Sequence, residues 1–210
     1  MPIRILLADD HLVVREGLRS LLEVAGFKVV GEARDGREAL KLARMLEPEV
    51  TVMDIGMPGL NGVDACRELL REVPEMRIIV LTVHGEDAYV IEALRSGARG
   101  YVLKTQAGSD LVRAIGEVTQ GRIYLSPSVS SAVVQAFLAG STSPADPLTP
   151  REREVLQLVA EGRTARQIAA VLRISVKTVE FHKARLMDQL QVRSTAELTR
   201  YAVQHGIVAS

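Results

Sequence analysis

Five residues in the first half of the chain carry side chains that could share one piece of chemistry: Asp9, Asp10, Asp54, Thr82 and Lys104. Each stands at the end of a short apolar run, as in RILLAD, VTVMD, RIIVLT and GYVLK. Three carboxylates in one crevice repel each other and raise one another's pKa. A hard divalent cation relieves that repulsion, and Mg2+ needs only one or two carboxylates because it keeps several waters. Lys104 adds a point charge suited to a phosphoryl oxygen, and Thr82 adds a hydroxyl donor. A metal, a carboxylate nucleophile and a cation together suit phosphoryl transfer onto the carboxylate. Taken singly, Asp9 reads as a turn former or helix cap, Thr82 as a sheet residue and Lys104 as a surface charge. The set at four run ends is what points to a site. His11 and His84 read as surface histidines rather than ligands.

These residues meet only if the chain brings its run ends together. IRILLA, FKVVGEA, EVTVMD, RIIVLTV and GYVLK have the length and composition of buried strands. They alternate with HLVVREGLRSLLEVA, DGREALKLARMLEP, VDACRELLREVP, EDAYVIEALRSG and SDLVRAIGEVTQG, whose apolar residues recur at helical spacing. Such alternation predicts a doubly wound α/β unit, a five-stranded parallel sheet with helices on both faces, over residues 1–121. In an open parallel sheet, ligands bind outside the carboxyl ends of the strands, near the point where strand order reverses. The five residues fall there.

SPSVSSAVVQAFLAG reads as a connecting helix, and STSPADP, rich in Ser and Pro, as a linker, so residues 122–147 separate two domains. Over 148–210 the strand signals vanish. Thr149-Pro150-Arg151-Glu152 is a capping box with Pro at the first helical position; Thr164 to Gln167 and Ser194 to Glu197 repeat the spacing, and Ser175 is another N-cap. Four short helices make a small all-α domain.

The 210 residues carry no net charge, but the two parts differ. Up to Arg122 sixteen basic residues face nineteen acidic ones, a net charge of −3, and the remainder carries +3. From Arg163 to Arg185, Arg163, Arg166, Arg173, Lys177, Lys183 and Arg185 stand against Glu180 alone, which suggests nucleic acid as the partner of the C-terminal part. There is no apolar run long enough for a membrane span. The start, MPIRILLADD, turns acidic too early for a secretory signal, and Cys66 is the only cysteine. These features favour a cytoplasmic protein.

TARQIAAVLR, a tight turn at Ile174-Ser175 and VKTVEFHKARLMDQL outline a helix-turn-helix, whose second helix enters the major groove of double-stranded DNA. A helical wheel turns Val179, His182, Leu186 and Leu190 inward and Lys177, Glu180, Phe181 and Ala184 outward. Thr178, Lys183 and Arg185 flank the outward face, placed with Arg166 for phosphates. Glu180 could accept from a cytosine amine, and Phe181 and Ala184 could touch thymine methyls.

ADD at 8–10, MDIGMPGLNG at 53–62, LT at 81–82 and GYVLK at 100–104 resemble the receiver domain of bacterial two-component response regulators. The C-terminal stretch from Leu148 to Gly206 resembles a LuxR-type helix-turn-helix, and the pair resembles the NarL/FixJ subfamily. The resemblance implies a flavodoxin-like receiver in which Asp54 accepts a phosphoryl group from a sensor histidine kinase. It implies Mg2+ held by Asp10, Asp54 and the Gly56 carbonyl, with Asp9 assisting through water. Thr82 and Tyr101 would form the switch pair, and Lys104 would contact the phosphoryl group. Beyond this self-phosphorylation and dephosphorylation no enzymatic activity is implied. The last helix, with Leu198, Tyr201 and Ala202 as candidate contacts, would pair two copies into a homodimer on DNA.

Other readings stand beside this one. A haloacid-dehalogenase-type phosphatase also places a nucleophilic Asp after a strand, but wants a second acid two residues on, where this chain has Gly56. A flavin domain of similar topology lacks rings here to sandwich its cofactor. A DNA-binding regulator independent of phosphorylation, with a vestigial acidic site, would have no reason to keep Thr82 and Lys104.

Overall fold

The computed structural model describes residues 1–83, 85, 87–129 and 148–208. His84, the expected connecting helix from residue 130 on and the Ser/Pro linker lie outside them. The chain divides into two compact units, Met1–Ser141 and Thr142–Ser210.

In the first unit, strands and helices alternate as β1 (Arg4–Ala8), α1 (Leu12–Val24), β2 (Lys28–Ala33), α2 (Gly36–Leu46), β3 (Val50–Met53), α3 (Gly62–Glu72), β4 (Arg77–Thr82), α4 (Asp87–Arg95), β5 (Gly100–Leu103) and α5 (Ala107–Thr119). The sheet has six strands rather than the expected five, because β6 (Tyr124–Leu125) pairs in parallel with β5. Its two residues are too few to show any alternation in sequence, so only the pairing reveals them. The order is β2-β1-β3-β4-β5-β6, all parallel, and strand order reverses between β1 and β3.

Alternation along each strand divides the core between the two faces. Leu6, Met53, Ile78, Val80 and Tyr101 pack with the buried residues of α2, α3 and α4. Ile5, Val52, Ile79, Leu81 and Val102 pack with those of α1 and α5. Helices α2 and α3 start at side-chain caps: Asp35 and Asn61 accept from the backbone N–H of Glu38 and Asp64. A sheet covered on both faces leaves its strands apolar throughout, and the polar chemistry moves to their ends.

The second unit contains α6 (Pro150–Ala160), α7 (Ala165–Leu172), α8 (Val176–Gln189) and α9 (Thr195–Gln204). Both hydrogen bonds of the capping box form at Thr149/Glu152 and again at Thr164/Gln167. At Ser194 the side chain accepts from Glu197 N–H, but the Glu197 carboxylate reaches one residue further back, to the N–H of Arg193 at 2.6 Å. Between α7 and α8 the chain turns sharply with Arg173 in the left-handed region (φ 52°), and Ser175 caps α8 by accepting from Thr178 N–H. A separate core of Leu156, Ile168, Leu172, Val179, Leu186 and Leu198, among others, holds the four helices.

Candidate functional site

The acidic residues meet because β1 and β3 are neighbours. Asp9 N–H donates to Ala33 O (3.0 Å) and Asp54 N–H to Ala8 O (2.8 Å), so each carboxylate follows the last rung of its ladder. The next strands bring Thr82 and Lys104 to the same edge. Donor atoms of Asp9, Asp10, His11 and Asp54 all lie within 4.8 Å of one another. Asp9 and Asp54 are buried, whereas Asp10 and His11 face solvent. His11 is a surface histidine as expected, yet its Nδ1 lies 2.8 Å from Asp10 Oδ1.

Lys104 organises the site. Its Nζ stands 2.7 Å from Asp9 Oδ2 and 2.8 Å from Asp54 Oδ2. Burial pushes the Asp54 carboxyl above its ordinary range; the Lys104 hydrogen bond and charge pull it back only in part, Asp9 adds to the rise, and an N–H from Gly56 opposes it. For Lys104 burial acts downward, but its bonds and charge contacts with Asp54 and Asp9 outweigh it and hold the ammonium above its usual pKa. Three carboxylates against one ammonium leave two negative charges on a cluster of hard oxygen donors. That donor set and charge fit one divalent cation such as Mg2+.

Two glycines that the spacing argument passed over shape the loop after Asp54. A methyl on Gly62 would lie 1.9 Å from Asp54 O, and one on Gly36 would lie 2.3 Å from Leu60 O. Helices α3 and α2 thus press directly on the backbone of residues 54–60, a close approach open only to glycine. Both were visible as letters, but nothing in the sequence says which backbone lies opposite.

Thr82 and Tyr101 are both wholly buried. By strand alternation they point to the same sheet face, the one shared with α2, α3 and α4. The Tyr101 ring packs inside the domain, in the core shared with α2, α3 and α4.

On the second unit, Arg166, Lys177, Glu180, Phe181 and Ala184 are exposed, Phe181 to 61%, and Lys183 is half-buried. Val179 and Leu186 face inward as expected, and His182 is half-buried beside Phe181, ring centroids 5.9 Å apart. Two placements change. The Thr178 hydroxyl is 2.8 Å from Ser175 Oγ and belongs to the α8 cap. Arg185, expected beside phosphates, pairs with Glu152 at 3.0 Å.

The candidate dimer contacts need a correction. Leu198 and Ala202 are wholly buried in their own domain's core, and Tyr201 is half-buried, stacked on His205 at 3.8 Å. Spacing alone cannot tell a helix stripe facing its own core from one facing a second copy. On α9 the exposed residues are Thr195, Ala196, Arg200 and Gln204, flanked by half-buried Thr199 and Val203.

A parallel α/β unit with acids and a lysine at its strand ends, followed by a helix-turn-helix, defines a response regulator that acts on transcription. Residues 5–116 match the response regulator receiver domain, and residues 146–202 match the bacterial regulatory proteins of the luxR family. The chain belongs to this family, as a NarL/FixJ-type two-component regulator rather than an enzyme in its own right. It is 38% identical to the response regulator GacA of Pseudomonas protegens, over 98% of both chains. It is 36% identical to the response regulator UvrY of Escherichia coli K12, over 98% of this chain and 95% of that one. Among solved structures it is similar to RcsB of Salmonella enterica serovar Typhimurium bound to promoter rprA with the phosphomimetic BeF3−, at 32% identity and a TM-score of 0.63. That match covers 96% of this chain and 98% of that one.

Proposed function

We propose that Asp54 is the phosphoacceptor and that its phosphorylation by a sensor histidine kinase sets the DNA-binding state of the C-terminal domain. The observation that carries this is the Lys104 ammonium held within 2.8 Å of both Asp54 and Asp9. An Asp54 oxygen attacks the phosphorus, the bond to the donor's leaving group breaks with its electron pair, and an acyl phosphate forms. Lys104 then faces the phosphoryl oxygens that replace the lone carboxylate. Asp10, Asp54 and the Gly56 carbonyl would hold Mg2+, with Asp9 assisting through water; the ion supplies charge neutralisation at the transferring group. The same residues support slow loss of the group to water, and no other catalysis.

Phosphorylation adds roughly −1.5 to −2 charge and strong acceptor oxygens. The Thr82 hydroxyl turns toward them, and Tyr101 exchanges between its buried place and a second one, a bistable packing element of the kind a switch needs. In the C-terminal domain, the exposed face of α8 reads bases through Glu180, Phe181 and Ala184, with Lys177, Lys183 and Arg166 toward phosphates. Relatives of this chain support DNA as the partner: the RcsB structure named above is bound to a promoter. Two copies pair on DNA through the outer side of α9, at Ala196, Thr199, Arg200 and Val203. On this reading the site of action is the cytoplasm; no helix among the described residues is long and apolar enough to cross a membrane.

Incubation with Mg2+ and acetyl phosphate tests the chemistry. The reading requires a mass increase of one phosphoryl group that is lost in alkali and absent from Asp54→Asn. Modification that persists in Asp54→Asn would contradict it.

A further inference from the structure

Arg185 lies on α8, the helix assigned to base reading, and from its place on the helical wheel it would be a phosphate contact. The structure gives it a different partner. Its Nε sits 3.0 Å from Oε1 of Glu152 on α6; Arg185 is 56% exposed, while Glu152 is only 1% exposed. The other Glu152 oxygen, Oε2, accepts from Thr149 N–H at 2.9 Å and from the Thr149 hydroxyl at 2.8 Å. One buried carboxylate therefore ties the start of α6 to the recognition helix. Burial works against its charge, but the two Thr149 bonds, Arg185 and His182 outweigh that and keep the carboxyl below its ordinary range. An arginine that left this pair for a DNA phosphate would strand an ionised carboxylate in the domain interior, a costly exchange.

We propose that Arg185 is a positioning residue: its ion pair with Glu152 fixes the recognition helix on the start of α6 and thereby sets base readout, without a contact to DNA phosphate. The assignment rests on the DNA-reading role given to α8 above. Glu152 is buried away from any DNA, so its removal acts on binding only through the Thr149 cap of α6 or through Arg185 and α8.

The test uses the full chain and two labelled duplexes, one enriched from a random library by the wild-type protein and one scrambled. Affinities are measured by fluorescence anisotropy across a salt series. Arg185→Ala should weaken the enriched duplex about tenfold, leave the scrambled one unchanged and keep the salt slope of the wild type. Glu152→Gln, whose amide oxygen can still accept from Thr149 N–H, should do the same, and the double variant should be no worse than either alone. A phosphate contact would show itself differently. Arg185→Ala would then weaken both duplexes and lower the salt slope by about 1, and Glu152→Gln would bind as tightly as wild type or tighter. Either result overturns the proposal. Simple loss of folded domain would weaken both duplexes in proportion and leave their ratio unchanged, which overturns it too. A wild-type chain that enriched no duplex would remove the DNA-reading role itself, a failure distinct from those.

Discussion

Gly62 stands so close to Asp54 that a methyl group on its α-carbon would lie 1.9 Å from the Asp54 carbonyl oxygen and 2.8 Å from the carbonyl carbon. Both are backbone atoms, so no side-chain rotation can relieve the clash. Gly62→Ala must push α3 and Asp54 apart, at a cost of about 1–3 kcal/mol as for other overpacked sites. We expect lower thermal stability together with slower phosphorylation by acetyl phosphate. Gly116 on α5 is the control, because a methyl there meets nothing within 4 Å. Gly116→Ala should stabilise the receiver by about 0.5–1 kcal/mol, with phosphorylation unchanged.

Asp54→Asn should stabilise the receiver near neutral pH when divalent ions are chelated. The Asp54 carboxyl is raised above 3.8, first by burial and further by Asp9. A folded state that holds its proton more tightly than the unfolded chain is favoured below the unfolded value and loses that advantage as pH rises through the raised one. Wild type should therefore fall behind Asp54→Asn across that window and stay behind above it. The gap should be a few degrees in Tm, the scale set by about 1 kcal/mol in a domain of this size. Mg2+ should narrow it. Melting curves in chelator and in Mg2+ over a pH series measure both effects.

Lys104→Met keeps the aliphatic stem and removes the charge. Asp9 and Asp54 then lose their shared cation, 2.7 and 2.8 Å away. Phosphorylation of Asp54 should slow by about 10²–10³, the usual effect of removing one preorganised electrostatic donor. Divalent-ion affinity should move the other way and rise, because the remaining acids lose a competing positive charge. Equilibrium titration with Mn2+, read by electron paramagnetic resonance, separates the two consequences.

On α9, position decides which substitution acts on folding and which on assembly. Leu198 is wholly buried, so Leu198→Asp should unfold the C-terminal domain. Val203 is only half-buried on the outer side. Val203→Asp should leave the domain folded and weaken dimerisation on DNA, as followed by sedimentation with a two-site duplex.

The sequence made the strand-end residues legible because topology, not local propensity, brings them together. Once five apolar runs alternate with amphipathic stretches, a parallel sheet follows, and Asp9, Asp54, Thr82 and Lys104 must share one edge. The caps at Thr149, Thr164 and Ser175 were equally readable, since each is a local rule. What stayed hidden depends on through-space neighbours. β6 is two residues long and exists only through its pairing with β5. Leu198 and Ala202 lie on an apolar stripe whose partner could be either the domain core or another copy. Arg185 carries a charge at a plausible place, but its tie to Glu152 crosses between helices, and no spacing rule announces it.

On the reading proposed above, the state of Asp54 sets DNA binding. The most direct measurement compares the affinity of the full chain for its enriched duplex before and after acetyl phosphate with Mg2+, in wild type, Asp54→Asn and Thr82→Val. Wild type should bind more tightly once phosphorylated. Asp54→Asn should show no change, and Thr82→Val should take up the phosphoryl group without the gain in affinity. A wild-type affinity that stayed the same at full phosphorylation, or a gain that survived in Asp54→Asn, would contradict the account.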